Sequence, residues 1–182
     1  MNRKVTNMKV LIWLTDSTWP ACIAAARDLV PPDADVTLLY VADDAVPAAT
    51  QGALAGLLGR SAPPRHDAAS RVRDLAERAG ADLLETAAAE AAEAGRDVAV
   101  EQRHGRIERE VVQAADGADL LVLARDGDLR RLGPHSLGPA TRFVVDHAPC
   151  ATLLVWPVAA PDVGSIPPPP AHPPTRPPHA PQ

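Results

Sequence analysis

The apolar positions of this chain fall into short runs separated by longer stretches in which they recur every three or four residues. Residues 8–15 read MKVLIWLT and residues 36–42 read VTLLYVA. Both are nearly continuous apolar runs, the pattern of strands covered on both faces. Residues 119–124, DLLVLA, and the last strand from Ala151 to Trp156, ATLLVW, repeat it. Residues 97–103, DVAVEQR, alternate instead, as a strand at a sheet edge does.

Helical spacing fills the gaps. Thr18 is a candidate N-cap, and Pro20 suits the first turn of a helix that ends near Leu29, before Pro31-Pro32. Residues 46–94 are Ala-rich and helix-prone, divided at Gly59 and at Pro63-Pro64. Their second part places Val72, Leu75, Ala76, Ala79 and Leu83 on one face. Gly80 is a predicted kink or break, with Asp82 and Glu85 forming a capping box for a new start, and Gly95 a left-handed stop. Ile107, Val111, Val112 and Ala115 share one helix face that Gly117 ends, and residues 140–147 form the last helix. Five strands joined by helical crossovers predict an α/β fold, a doubly wound parallel five-stranded sheet.

Composition sharpens the outline. The chain has 182 residues, 46% of them apolar, which suits one domain with one core. Aromatics make up 3%, so Ala, Leu and Val must build that core. A net charge of −5 argues against a nucleic-acid partner. No run reaches the roughly 18 apolar residues of a membrane helix. Two cysteines, Cys22 and Cys150, are too few for a disulfide framework, and a cytoplasmic location is the expectation. Residues 1–7 are a basic, flexible N-terminus, and Met8 is an alternative start. Residues 8–157 form the domain. Residues 157–182 hold 11 of the 20 prolines, so residues 158–182 are expected to be a disordered proline-rich tail that a proline-reading protein could engage.

Ligands of such sheets bind beyond the carboxyl ends of the strands, where strand order reverses. Three segments fall there: Thr15-Asp16-Ser17-Thr18, Val41-Ala42-Asp43-Asp44, and residues 124–138. The third is rich in glycine, carries Arg125, Arg130 and Arg131, and runs into a helix whose amide donors suit a phosphate. The histidines His66, His104, His135 and His147 lack metal-ligand spacing, and His147 reads as a cap at its helix end. Cys22 reads as a core residue. Ser17 and Ser136 have no placeable His–acid partners for a hydrolase triad.

The order of elements resembles the universal stress protein family over residues 8–156. Asp16-Ser17-Thr18 stands at the family's turn after strand one, and His104-Gly105-Arg106-Ile107 at its glycine before the third crossover helix. Ala118-Asp119-Leu120-Leu121-Val122 matches its next strand, and His147-Ala148-Pro149-Cys150 reads as its final helix end does. The resemblance implies a Rossmann-like, adenine nucleotide alpha hydrolase-like fold, a regulatory module rather than an enzyme, and a homodimer paired through the last strand. An apolar strand placed at the edge by sequence order agrees with that pairing.

The resemblance also implies a site for ATP or another adenine nucleotide, with magnesium. It is carried by Thr15, Asp16, Val41, Ala124, Arg125, Gly127, Gly138, Ala140 and Thr141. Asp16 matches the family acid near the ribose, and Val41 the position whose backbone meets adenine. Nucleotide-binding members carry Gly-x2-Gly-x9-Gly-[Ser/Thr] after strand four. Here Ala124 replaces the first glycine, ten residues separate Gly127 from Gly138, and Pro139 stands where a hydroxyl is expected. Pro139 also has no amide to offer, while Thr141 brings a hydroxyl two positions later. The alternative is therefore a nucleotide-free dimeric scaffold of the same family with a degenerate phosphate loop.

Overall fold

The computed structural model describes residues 7–43 and 66–168. Five strands carry the fold: β1 (Lys9–Trp13), β2 (Asp35–Asp43), β3 (Val98–Gly105), β4 (Leu120–Ala124) and β5 (Ala151–Val155). The described helices are α1 (Trp19–Leu29), α2 (His66–Glu93), α3 (Ile107–Ala114) and α4 (Pro139–His147). All strand pairs are parallel, in the order β3-β2-β1-β4-β5. The direction of winding reverses between β1 and β4, and β3 and β5 are the edges, as the sequence predicts. The expected helix over residues 46–64 falls, for residues 46–64, outside the described residues.

Strand periodicity divides the core. Val10, Ile12 and Leu14 of β1 and its extension pack with Val36, Leu38 and Val122 against Cys22, Ile23 and Ala26 of α1 and Leu83, Leu84 and Ala87 of α2. Leu11 and Trp13 point the other way, with Leu39, Val41, Leu121 and Leu123, onto Val111 of α3 and Val144 of α4. Leu38, Leu39, Leu121 and Val122 are wholly buried. Each such side chain contributes about 1.5–3 kcal/mol by leaving water.

Helix α2 corrects two expectations. It runs unbroken through Gly80, with no new start at Asp82. A Cβ at Gly80 would stand 2.5 Å from the Tyr40 ring, so this glycine lets β2 approach the helix backbone rather than breaking it. The buried face is Gly80, Leu83, Leu84, Ala87 and Ala91, whereas Leu75, expected on the core side with Leu83, is 63% exposed. Gly95 ends the helix in the left-handed region (φ 77°). Its amide donates to Ala92 O and the Arg96 amide to Ala91 O, the paired bonds of a Schellman stop. Arg96 then donates from its guanidinium to Pro31 O (2.9 Å) and Val30 O (2.8 Å), placing a cation at the carboxyl end of α1.

Thr18 stands at the N-cap of α1, and Pro20 lies in its first turn, but no side-chain cap bond forms. The Thr18 hydroxyl instead shares a 2.7 Å hydrogen bond with that of Thr15. Beyond β5 the described residues run on to 168. A 310 turn forms at Val163–Ser165, and the Ser165 hydroxyl accepts from the Leu132 amide at 3.0 Å. The arm after β5 thus reaches the β4–α4 loop, and residues 169–182 lie outside the described residues. No helix among the described residues is long and apolar enough to cross a membrane.

Candidate functional site

The register fixes which chain segments meet at the carboxyl edge. Ile12 pairs with Leu38 on one side and Val122 on the other. Counting three residues on from each brings Thr15, Val41 and Arg125 to the same level. The three segments picked out from the sequence therefore converge, because β1 lies between β2 and β4. Val41 and Ala124 are buried, Thr15 is half-buried, and Asp16 and Asp126 are exposed. Burial and then the charge of Asp16 push the Tyr40 phenol up from its ordinary value.

The loop from β4 to α4 is closed on itself. The Gly127 amide donates to Ser136 O (3.0 Å) and the Asp128 amide to His135 O (2.8 Å). A Cβ on Gly127 would lie 2.3 Å from His135 O. This glycine therefore admits the returning strand of the loop, and the space beside it is filled by the protein's own backbone. The 310 turn at Pro134–Ser136 starts from Gly133, whose φ of 132° only glycine adopts readily. Ser136 is fully buried; its hydroxyl donates to Gly133 O at 2.7 Å and accepts from the Arg125 guanidinium.

Each loop arginine is engaged. Arg125 lies over the Trp156 ring, 4.6 Å from its centroid, and its buried Nε lacks a hydrogen-bond partner. A stack of that kind is worth roughly 0.5–2 kcal/mol, comparable with the penalty of one orphaned buried donor, roughly 1–3 kcal/mol. Arg130 donates to both carboxylate oxygens of Asp128, at 2.8 and 3.1 Å, and Arg131 stands 3.6 Å from the same group. Hydrogen bonding by Arg130 holds the Asp128 carboxyl at about 2. Arg142 donates to Pro134 O.

At the mouth of α4 the expected phosphate position has an internal occupant. Gly138 is the N-cap, and its amide donates to Asp126 Oδ1 at 2.7 Å. A Cβ there would meet the Asp126 carboxylate at 2.8 Å. Pro139 follows without an N–H. Thr141, expected to offer a hydroxyl, is 1% exposed, and Ala140 is half-buried. Of the donors at this helix end, one amide is taken by a carboxylate and one is absent, the arginines are turned to other partners, and the Ala140 and Thr141 amides have no capping side chain. The Asp126 contact was legible as an acid two residues after β4, yet nothing in the sequence aimed it at Gly138.

The remaining candidates take structural roles. Cys22 is wholly buried, with its thiol pushed up to about 12 by burial, the state of an inert core cysteine. His147 donates from Nδ1 to Phe143 O at 2.8 Å and stacks on the Phe143 ring, at the end of α4 as expected. Among the described residues no cluster of three or more His, Cys, Asp or Glu side chains could hold a metal ion.

The sheet order and the parallel register define a doubly wound α/β protein. The model of the universal stress protein family matches residues 10–155, and the chain belongs to that family. Its fold is similar to UspA from Lactobacillus plantarum (22% identity, 84% of this chain and 99% of that one, TM-score 0.61). It is also similar to a universal stress family protein from Arabidopsis thaliana solved with AMP bound (17% identity, 84% and 93%, TM-score 0.57). A universal stress protein in complex with cAMP is a third (18% identity, 84% and 98%, TM-score 0.53). No curated protein matches the chain.

Proposed function

We infer that the chain is a regulatory, non-catalytic member of the universal stress protein family whose carboxyl-edge cleft receives the nucleoside part of an adenine nucleotide. The observation that carries this reading is the convergence of Thr15, just past β1, Val41 of β2 and Arg125, just past β4, at the carboxyl edge of three adjacent strands, with Asp16 exposed beside them. A carboxylate at that place accepts both hydroxyls of a ribose, and Val41, with its side chain in the core, stands where the family resemblance puts backbone against adenine. AMP and cAMP in two proteins of the same fold support the choice of adenine. A non-catalytic role is supported by the state of the nucleophiles: the Ser136 hydroxyl is spent on Gly133 and Arg125, and Cys22 is a buried thiol. A cytoplasmic location and engagement of the proline-rich tail by a partner protein belong to the same reading.

Calorimetric titration of the full chain with AMP and with adenosine tests it. Binding that weakens about tenfold in Asp16→Ala is the expected result, the loss of one or two hydrogen bonds to a charged acceptor. No heat with either ligand at millimolar concentration defeats the reading. Turnover of ATP abolished by a loop substitution would replace it with an enzyme.

A second reading, a nucleotide-free scaffold that acts as a homodimer, is favoured by the Asp126–Gly138 contact and by the edge position of β5. Ala151 and Thr152 are exposed there, and Leu153, Leu154 and Val155 are only half-buried, an apolar edge open to a second copy. Sedimentation as a dimer together with silent titrations selects this reading.

A further inference from the structure

We propose that Asp126 is a built-in phosphate mimic which sets the specificity of the cleft, so that it takes a neutral nucleoside and rejects the 5′-polyphosphate. The inference rests on the nucleoside reading above for its ligand, but its argument concerns the chain's own residues. A helix N-terminus attracts an anion because its first amides point outward unpaired. At α4 part of that demand is met from within, at the N-cap amide, while no side chain caps the Ala140 and Thr141 amides. Asp126 Oδ1 takes the Gly138 amide at 2.7 Å, and the absence of a Cβ on Gly138 is what lets the carboxylate come so close. The next residue, Pro139, removes the following donor altogether.

Charge acts in the same direction. A phosphate entering beside α4 meets the Asp126 carboxylate at its own binding position, with Asp16 exposed on the same edge. The cations that would compensate are committed. Asp128 holds Arg130 and Arg131, Pro134 O holds Arg142, and Arg125 is clamped between Ser136 and Trp156. Gly127, whose family counterpart borders the phosphates, is packed against the backbone of residues 135–137. Two independent features, an occupied amide and a neutralised arginine set, thus oppose a polyphosphate while leaving Thr15, Asp16 and Val41 untouched. Because Asn keeps the acceptor and removes the charge, Asp126→Asn isolates the electrostatic part. Pro139→Ser restores a donor and a hydroxyl.

The experiment compares adenosine with ATP, with and without magnesium, on the full-length wild type, Asp126→Asn, and the double variant Asp126→Asn/Pro139→Ser. Thermal melts establish that each is folded. The wild type is expected to bind adenosine at least about tenfold tighter than ATP. Asp126→Asn is expected to raise ATP affinity about tenfold, and the double variant about a hundredfold, with adenosine affinity unchanged. If the wild type binds neither ligand and the double variant acquires ATP binding, the nucleoside reading fails and the role of Asp126 stands. If the wild type binds ATP as tightly as adenosine, the cleft is a nucleotide site and the role of Asp126 is overturned. Folded variants that gain nothing for ATP also overturn it. A measurement independent of the variants follows the Gly138, Ala140 and Thr141 amide resonances of the wild type during addition of inorganic tripolyphosphate. They are expected to stay in place to about 10 mM; their displacement refutes the internal occupancy.

Discussion

The middle of β4 and the loop that leaves it are neighbours in sequence and are held in opposite ways. Leu121, Val122 and Leu123 are wholly buried between helices on both faces of the sheet, and their place is fixed by apolar area. From residue 125 onward the chain is held by named polar contacts: Gly127 to Ser136, Asp128 to His135, Arg125 to Ser136 and Trp156, Asp126 to Gly138. The strand tolerates any apolar side chain of the right size. The loop tolerates few changes, because each contact depends on one atom at one distance. A rigid strand supplies the platform, and the specific chemistry lies in the connection that follows it.

Substitutions at the two places should separate these regimes. The largest effect is expected for Leu121→Ala, which opens a cavity in a fully buried site. It should cost about 2–5 kcal/mol of global stability, read as a lower denaturant midpoint by every probe. Gly127→Ala comes next. The new methyl must displace His135 O from 2.3 Å, at a cost of about 1–3 kcal/mol. Here the loss should appear first as faster amide exchange at Gly127 and Asp128, with the strands still protected; equal loss of protection in β4 would erase the distinction drawn above.

The smallest effect is a pH response confined to the loop. Asp128 is held at about 2 in the folded chain, below the roughly 4 of an unfolded aspartate. Its contribution is therefore complete above pH of about 4 and is lost as pH falls from there toward about 2. Resonances of the Arg130 side chain should shift across that window, while the β4 amides remain protected. A shift centred at the ordinary carboxylate pKa would show that the Asp128–Arg130 pair does not persist in solution. The pair is surface-exposed, so its effect on the global midpoint should be slight.

Much of the fold was legible along the chain. Runs such as residues 8–15 and 119–124 announce strands covered on both faces, and their alternation with helical spacing leaves few arrangements other than a parallel doubly wound sheet. Gly95 and Gly117 were readable as stops, and both adopt positive φ. Gly80 was not readable: a helix-interior glycine looks like a break until Tyr40 is seen against it. The exposure of Leu75 was hidden for a related reason, since helical spacing marks a stripe but not where the sheet beneath it ends. The bond from the Leu132 amide to the Ser165 hydroxyl was not readable either, because proline content says nothing of a single serine hydroxyl.

By itself the sequence determined the elements, their parallel sense and the three segments that gather at one edge, because apolar periodicity and proline and glycine placement act within a few residues of chain. It also exposed the missing donor at Pro139. Only the tertiary structure decided what fills the mouth of α4 and where the loop arginines turn. Those outcomes hinge on ångström-scale approaches between residues apart in sequence, Asp126 with Gly138 across the loop and Arg125 with Trp156 beyond β5, and pair distances of that kind are created by the fold rather than written in any local pattern.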